Sequence, residues 1–207
     1  MRNYIDLSQT ITHAMPVYPG DKAVELTDLS TLETALGAVQ MVCCSMHTGT
    51  HIDSPSHMIK AGKKLSDFEL SSFIGREKLI DARGKNPIDK DVLHPLSLEK
   101  DDIALFFTGF GSKFYNQEYY STAPDLTEEC AHELVLHGVK IVGIDAGSPD
   151  YEPYPIHHIL LKHDILIIEN LTNLEALLNV QHFEIIALPL KAKTDGALAR
   201  VIARVIE

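Results

Sequence analysis

Residues 47–57 read HTGTHIDSPSH and place three of the chain's 11 histidines within 11 consecutive positions. His47 and His51 are four residues apart, and Asp53 follows two residues later. Two imidazole nitrogens and a carboxylate oxygen suit Zn²⁺ or Mn²⁺, and three protein ligands leave a coordination position for water or substrate. The spacing therefore predicts a metal site.

This stretch is not the helix of the zincin metalloproteases, because Thr48 stands where an HExxH motif has its general-base glutamate. Gly49 and Pro55 also disfavour a regular helix. We expect the ligands to converge from an irregular turn that interrupts a strand, with Gly49 adopting backbone angles closed to other residues. Histidine pairs at this spacing also occur in metal-free loops, so the pair alone leaves that alternative open.

The composition is that of an ordinary globular chain, with 207 residues, 45% hydrophobic and 23% charged. We find no repeat, low-complexity tract or linker, and we expect a single domain over residues 1–207. The net charge of −11 disfavours nucleic-acid binding, which needs clustered Lys and Arg. No apolar run approaches the ~18 residues of a membrane span. Asp6, Ser8 and Gln9 interrupt the apolar stretch that a signal peptide would need.

The three cysteines, Cys43, Cys44 and Cys130, form no CxxC pair that would indicate a structural zinc site. Adjacent residues of a strand point to opposite faces, so Cys43 and Cys44 are poorly placed to bridge each other. We expect three buried, reduced cysteines in a cytoplasmic protein.

Strands and helices interleave in the second half of the chain, which favours an α/β or mixed β/α architecture. We expect a buried strand over 37–46 and, from a capping-box pattern, a short helix over 66–73. Thr127 is a good N-cap for a helix that runs to His137 and ends at Gly138. The other predicted strands are 78–82, 103–108, 140–145, 165–169, 183–190 and 201–206, and the other predicted helices are 156–163 and 173–178.

The segment HTGTHIDSPSH resembles the signature HxGTHxDxPxH of the cyclase-like metal-dependent hydrolase family. This family includes isatin hydrolase and bacterial kynurenine formamidase (arylformamidase), an enzyme of tryptophan catabolism. The resemblance covers nearly the whole chain, and further similar elements are MPVYPGD (15–21), GIDAGSPD (143–150), PIHHILLKHDILIIEN (155–170), IALP (186–189) and DG (195–196). It implies a single swivelling β/β/α domain with a barrel-like mixed, mostly antiparallel β core and flanking helices. It also implies a homodimer or larger homo-oligomer with active sites near the subunit interface.

The resemblance further implies a site with two metal ions per subunit, Zn²⁺ or alternatively Mn²⁺. His47, His51 and Asp53 would ligate the first ion. Asp53 would bridge to the second ion, which His157 also binds, and Glu169 would touch both ions.

Two more residues receive roles from the resemblance. His57 would be the proton donor and acceptor. Tyr18 would lie against the substrate, where kynurenine formamidases carry an aromatic residue that is often Trp, although a packed turn aromatic is an equal alternative from the sequence alone.

The sequence supports parts of this assignment independently. The twelve-residue spacing to Glu169 selects His157 rather than the adjacent His158, which we expect on a helix surface. Glu169 ends an apolar run, and a carboxylate at the end of a buried strand is costly unless it is paired or metal-bound. The alternative is a glutamate that emerges into solvent. Five other histidines are expected in helices, loops or the surface: His94, His132, His137, His163 and His182. His13, near the N-terminus, could approach the site, but no positional argument places it there.

The implied activity is hydrolysis of a C–N bond in a small aryl formamide or cyclic amide by metal-activated hydroxide, with N-formylkynurenine as the leading candidate. Tyr18 in place of Trp, and Ala146-Gly147, depart from what a dedicated kynurenine formamidase is expected to carry. Lactam or isatin-type ring opening, lactone hydrolysis and dehydration therefore stay open. A non-catalytic protein that binds carboxylates through its metal is the alternative from another class.

Overall fold

The structure, a computed structural model, describes residues 3–206 and contains a closed β barrel. The strands are β1 (Tyr4–Asp6), β2 (Glu25–Ser30), β3 (Val39–Cys43), β4 (His51–Asp53), β5 (Ile74–Asp81), β6 (Ile103–Phe107), β7 (Ile141–Ile144), β8 (Leu166–Glu169), β9 (Phe183–Pro189) and β10 (Gly196–Val205). The α-helices are α1 (Glu128–His137) and α2 (Pro155–Lys162).

Seven strands form the ring of the barrel, in the order β10-β4-β8-β7-β6-β5-β9, and β9 pairs with β10 to close it. The pairings among β5, β6, β7 and β8 are parallel, and the other four in the ring are antiparallel. Parallel neighbours need long crossover connections. Helix α1 lies in the crossover from β6 to β7, and α2 lies in the crossover from β7 to β8. The predicted α/β fold with a barrel-like mixed core and flanking helices is confirmed.

Strand β6 shows how the barrel is filled and covered. Ile103, Leu105 and Phe107 belong to the apolar cluster inside the barrel. Ala104 and Phe106 belong to a second cluster, which packs the outer face of the sheet against α1 and α2. Successive side chains of a strand point to opposite faces, so a strand buried on both faces is apolar throughout.

The same alternation turns polar side chains outward in β4 and β8. Ile52 and Ile168 belong to the cluster inside the barrel. Their neighbours His51, Asp53 and Glu169 therefore face the outer side of the sheet, where α2 packs. The antiparallel register sets His51 directly opposite Glu169.

Strand β10 has more neighbours than any other strand of the described chain. Along one edge, residues 196–198 pair with β4 and residues 202–204 pair with β1. Along the other edge, residues 199–205 pair with β9 and close the ring. This strand begins earlier than the predicted strand 201–206, and it joins the barrel seam to the strand that carries His51 and Asp53.

The expected buried strand over 37–46 is wrong in its burial. Within it, β3 pairs only with β2 in a two-stranded ribbon outside the barrel, and Val39, Met41 and Val42 are exposed. An apolar run predicts burial only if another layer covers it, and within residues 3–206 no layer of this chain covers the ribbon. The prediction of buried cysteines is correspondingly wrong for Cys43 and Cys44, which are half-buried, whereas Cys130 is buried; all three are free.

The helix predicted over 66–73 is also wrong. This segment forms two 3₁₀ turns, Leu65–Asp67 and Leu70–Phe73, and the carboxylate of Asp67 accepts a hydrogen bond from the backbone N–H of Lys64 at 2.9 Å. The helix predicted over 173–178 is likewise a 3₁₀ turn, Leu174–Leu177. Short segments with few stabilising contacts of their own favour single turns over regular helix.

The prediction for α1 is confirmed at both ends. The hydroxyl of Thr127 accepts a hydrogen bond from the backbone N–H of Cys130 at 3.2 Å. Gly138 ends the helix with a φ of 69°. Neither α1 nor any other helix within residues 3–206 has the length and apolar character needed to cross a membrane.

Candidate functional site

The outward-facing residues of β4 and β8 border a cavity of about 210 Å³. Six of the seven residues that the sequence nominates line it: Tyr18, His47, Asp53, His57, His157 and Glu169. The seventh, His51, is buried behind the lining, with its Nε2 atom 3.4 Å from both Asp53 Oδ1 and Glu169 Oε2. The structure thus brings all seven residues together.

His51 is oriented by its own turn. Its Nδ1 atom donates a hydrogen bond to the carbonyl of Gly49 at 2.8 Å, which directs Nε2 toward the two carboxylates. Gly49 has a φ of 58°, as predicted for this turn. The predicted irregular segment ends earlier than expected, since residues 51–53 form strand β4 rather than part of the turn.

His157 is oriented by a residue that the sequence reasoning did not nominate. Its Nδ1 atom lies 2.5 Å from Asp150 Oδ1, and Asp150 Oδ2 accepts the backbone N–H of Ile156 at 2.6 Å. These bonds turn His157 Nε2 toward Glu169 Oε1, at 3.4 Å. A carboxylate behind a ligating histidine fixes its ring and raises its basicity. The sequence marked Asp150 as the last residue of the GIDAGSPD element but gave it no role.

The cluster fits a divalent cation. His51 Nε2 and Asp53 Oδ1 are buried and have no hydrogen-bond partner in the protein. His47 Nδ1 lies 2.7 Å from Asp53 Oδ1 without the alignment of a hydrogen bond. Buried polar atoms are normally satisfied, and an imidazole nitrogen beside a carboxylate oxygen, both without a hydrogen-bond partner, are ligand atoms that a divalent cation could bind.

The donor atoms form two groups that share Asp53. One consists of His51, Asp53 and Glu169, and the other of His47, Asp53 and His57, with the ligand atoms of each group within 4.8 Å of one another. The second group includes His57, which the resemblance assigns to proton transfer. The geometry thus places His57 close enough to serve either role.

Asp195 is a second residue that the sequence reasoning did not nominate. Its Oδ2 atom lies 3.3 Å from His47 Nε2 and 3.5 Å from His57 Nδ1. The neighbouring Gly196 lets His47 pack closely on β10, because a methyl group at position 196 would lie 2.5 Å from His47 Cε1. The sequence marked this Asp-Gly pair as a loop element but gave it no role.

The electrostatics differ between the two half-buried imidazoles. Burial lowers the pKa of His57, and the attraction of Asp53 offsets only part of that effect. His57 is therefore neutral near neutral pH and can accept a proton. Burial also lowers the pKa of His47, but Asp53 and Asp195 outweigh burial and raise the pKa to about 9. The pKa of buried Asp53 lies well below its usual range, although burial opposes this, because imidazoles surround the carboxylate.

Tyr18 lies on the wall of the cavity, and its hydroxyl is 3.0 Å from the hydroxyl of Tyr154. Its contact with a substrate stays a prediction. His158 is exposed on α2, as expected from the sequence. His13 is also exposed, and its Nδ1 atom accepts the backbone N–H of Leu26 at 3.2 Å.

The sequence is similar to those of known proteins. The family model described as putative cyclase matches residues 5–151. The kynurenine formamidase of Bacillus cytotoxicus is 33% identical over 209 residues, with 97% of each chain covered. The kynurenine formamidase of Bacillus cereus is 32% identical over 209 residues, with 98% of each chain covered.

Solved structures give the same fold. A protein described as a potential metal-dependent hydrolase with cyclase activity is 29% identical, with a TM-score of 0.81, and the match covers 99% of this chain and 98% of that one. Isatin hydrolase A from Labrenzia aggregata superposes with a TM-score of 0.85, and the match covers 99% of this chain and 94% of that one. At 22% identity the latter supports the fold alone.

The contact between Asp150 and His157 yields a first prediction. Replacing Asp150 with Asn should weaken Zn²⁺ binding by about 10- to 100-fold, because the carboxylate that fixes the imidazole and raises its basicity is lost. Titration calorimetry of the metal-free protein with Zn²⁺ measures this affinity. Asp91→Asn is the control, since the Asp91 side chain is 77% exposed and should leave the affinity unchanged. Equal affinities for Asp150→Asn and wild type would contradict the role given to Asp150.

Proposed function

The chain belongs to the putative cyclase family, and from this membership we propose that it is a metal-dependent amidohydrolase. It cleaves a C–N bond, other than a peptide bond, in a small aryl formamide or cyclic amide, and N-formylkynurenine is the leading candidate. The observation that carries the proposal is the pair of buried, unpartnered atoms His51 Nε2 and Asp53 Oδ1, with His57 in the same cavity. The relatives named kynurenine formamidase, at 32–33% identity over almost the full chain, support the choice of an amide.

The proposed metal ligands are His47, His51, Asp53, His157 and Glu169. They would hold two ions, with Asp53 shared between them, and the metal is Zn²⁺ or alternatively Mn²⁺. When bound, a divalent cation supplies Lewis acidity toward a carbonyl oxygen and lowers the pKa of a water molecule.

His57 is the proposed proton carrier of the reaction. In its neutral form it accepts the proton of the attacking water, and it then delivers this proton to the nitrogen of the leaving amine. Asp195, 3.5 Å from His57 Nδ1, holds that side of the ring and leaves Nε2 for the exchange. Hydrolysis of an amide needs this second transfer, because an amine leaves readily only once its nitrogen is protonated.

The cavity restricts the size of the substrate. Its volume of about 210 Å³ is below the range of about 300–1,000 Å³ typical of pockets for drug-sized ligands. Tyr18 on its wall offers an apolar face to a ring. A substrate with one aromatic ring next to the scissile amide matches these dimensions.

A substrate panel tests the proposal. The protein, loaded with Zn²⁺ or Mn²⁺, should hydrolyse N-formylkynurenine or formanilide, lose this activity on dialysis against a chelator and regain it when metal is returned. Isatin and an aryl lactone in the same panel measure ring opening. If only isatin or the lactone is turned over, the reaction is ring opening and not formamide hydrolysis. If products bind but no substrate is turned over, the protein is a non-catalytic binding protein.

Removal of the proposed proton carrier has a distinct signature. His57→Ala should lower kcat by about 10²- to 10⁴-fold, the usual contribution of a general acid–base group, while the metal content stays at the wild-type level. Elemental analysis measures the metal in the same preparations. His158→Ala, on the exposed face of α2, serves as the control with full activity. Loss of metal from His57→Ala would show that His57 is a ligand, as its place beside His47 and Asp53 also permits.

We also propose that the protein is a homodimer. The ribbon of β2 and β3 exposes Leu29, Val39, Met41 and Val42, and contiguous exposed apolar residues commonly mark a protein interface. Leu29→Lys should therefore shift the protein toward the monomer in sedimentation velocity. Leu136→Lys changes an exposed leucine of α1 and should leave the mass unchanged. A wild-type protein that sediments as a monomer would rule out the homodimer.

We further propose that residues 1–207 form one domain of a cytoplasmic protein. The two apolar clusters lie on opposite faces of one barrel sheet, and three free thiols suit a reducing compartment. A single cooperative unfolding transition and cell fractionation test these two statements.

A further inference from the structure

One wall of the cavity combines three tyrosines with the backbone of a glycine. Tyr18, Tyr120, Tyr154 and Gly147 line it. Tyr18 and Gly147 are also the positions at which the sequence departs from the pattern expected of a dedicated kynurenine formamidase. Tyr120 lies between these two positions, because its ring packs against both Tyr18 and Gly147.

Tyr120 is held from two sides. Its ring meets the ring of Tyr18 edge to face, with centroids 5.6 Å apart and planes at 73°. On the other side Tyr119 packs at 4.9 Å and 83°, and Tyr119 is itself buried and stacked on Phe110. The ring of Tyr120 therefore has little room to move away from the cavity wall.

Gly147 is the third contact of this ring. A methyl group at position 147 would lie 2.5 Å from Tyr120 Cδ1, 2.7 Å from its Cε1 and 3.2 Å from Tyr119 Cε1. Gly147 is not among the glycines with a positive φ, so the left-handed region is not what requires glycine here. The need for glycine comes from the close ring and not from the backbone.

We propose that Tyr120 contacts the aryl ring of the substrate and that Gly147 is a positioning residue, which sets the depth of this aromatic subsite by letting Tyr120 lie against the backbone. This inference rests on the proposed hydrolysis of aryl amides. It assigns recognition of the aryl ring to the wall that Tyr18, Tyr120, Tyr154 and Gly147 form. A side chain at position 147 would displace the ring into the cavity or out of the wall. Amides with a ring would then lose binding, whereas amides without one would not.

Kinetics on two substrates test this subsite. Formanilide carries an aryl ring, and N-methylformamide presents the same formamide without one. Gly147→Ala and Tyr120→Ala should each raise KM for formanilide about tenfold, the size of a lost aromatic contact, with kcat unchanged. KM for N-methylformamide should not change. Tyr115→Ala is the control, because Tyr115 lies on the same loop and is 66% exposed.

The double variant separates positioning from a general structural effect. Gly147→Ala combined with Tyr120→Ala should be no worse than Tyr120→Ala alone, since no ring remains for the methyl group to displace. If Gly147→Ala does not fold, recovery of folding in the double variant also supports the contact. Equal losses on both substrates, additive effects in the double variant, or failure of both Gly147 variants to fold would overturn the positioning role.

Binding of aniline, measured by NMR titration, distinguishes this inference from the proposed function. If the wild type hydrolyses none of the amides, including N-formylkynurenine and isatin, the proposed function fails, but an aniline affinity that falls about tenfold in Tyr120→Ala still supports the subsite. If the wild type hydrolyses formanilide and Tyr120→Ala binds aniline as tightly as the wild type, the subsite is wrong and the proposed function stands.

Discussion

The side-chain alternation of β4 and β8 is the constraint on which the site depends. Ile52 and Ile168 are held inside the barrel, and this orients His51, Asp53 and Glu169 toward the outer face. A shift of β4 by one residue would turn His51 and Asp53 into the apolar interior and move Ile52 to the outer face. The hydrophobic effect thus fixes the register, and the register gathers the polar groups. The site needs no flexible loop to bring His51 and Glu169 together, because they are cross-strand neighbours.

Burial of this cluster is costly without compensation, because two imidazoles and three carboxylates lie there away from solvent: His51, His157, Asp53, Asp150 and Glu169. The structure meets this cost in two ways. Oriented partners satisfy the far side of the imidazoles, as the carbonyl of Gly49 does for His51 and the carboxylate of Asp150 does for His157. The near side is left with unpartnered atoms, which the proposed cations would satisfy. The rigid barrel holds these atoms in place before anything binds.

The sequence predicts the composition of the site better than its architecture. A single eleven-residue motif contains four of the clustered residues, and helix α1 follows from local signals at Thr127 and Gly138. Asp195 could not be assigned, because its contacts with His47 and His57 are made across the fold. Asp150 was missed for another reason: it bonds His157 only seven residues away, but the backbone turn that brings the two side chains together has no clear sequence signal. Strand β4 has only three residues, too few for periodicity to distinguish it from a turn. The exposure of β3 escaped prediction because an apolar pattern does not reveal whether a covering layer exists.

Strand β10 both supports the candidate site and closes the barrel. Its first residues flank β4 beneath His47, and its later residues complete the ring with β9. Any fluctuation that pulls β10 away from β4 also strains the closure of the barrel. Local opening around the ligands is therefore coupled to opening of the barrel seam. Such a centre would retain its ligand geometry for as long as that seam stays closed.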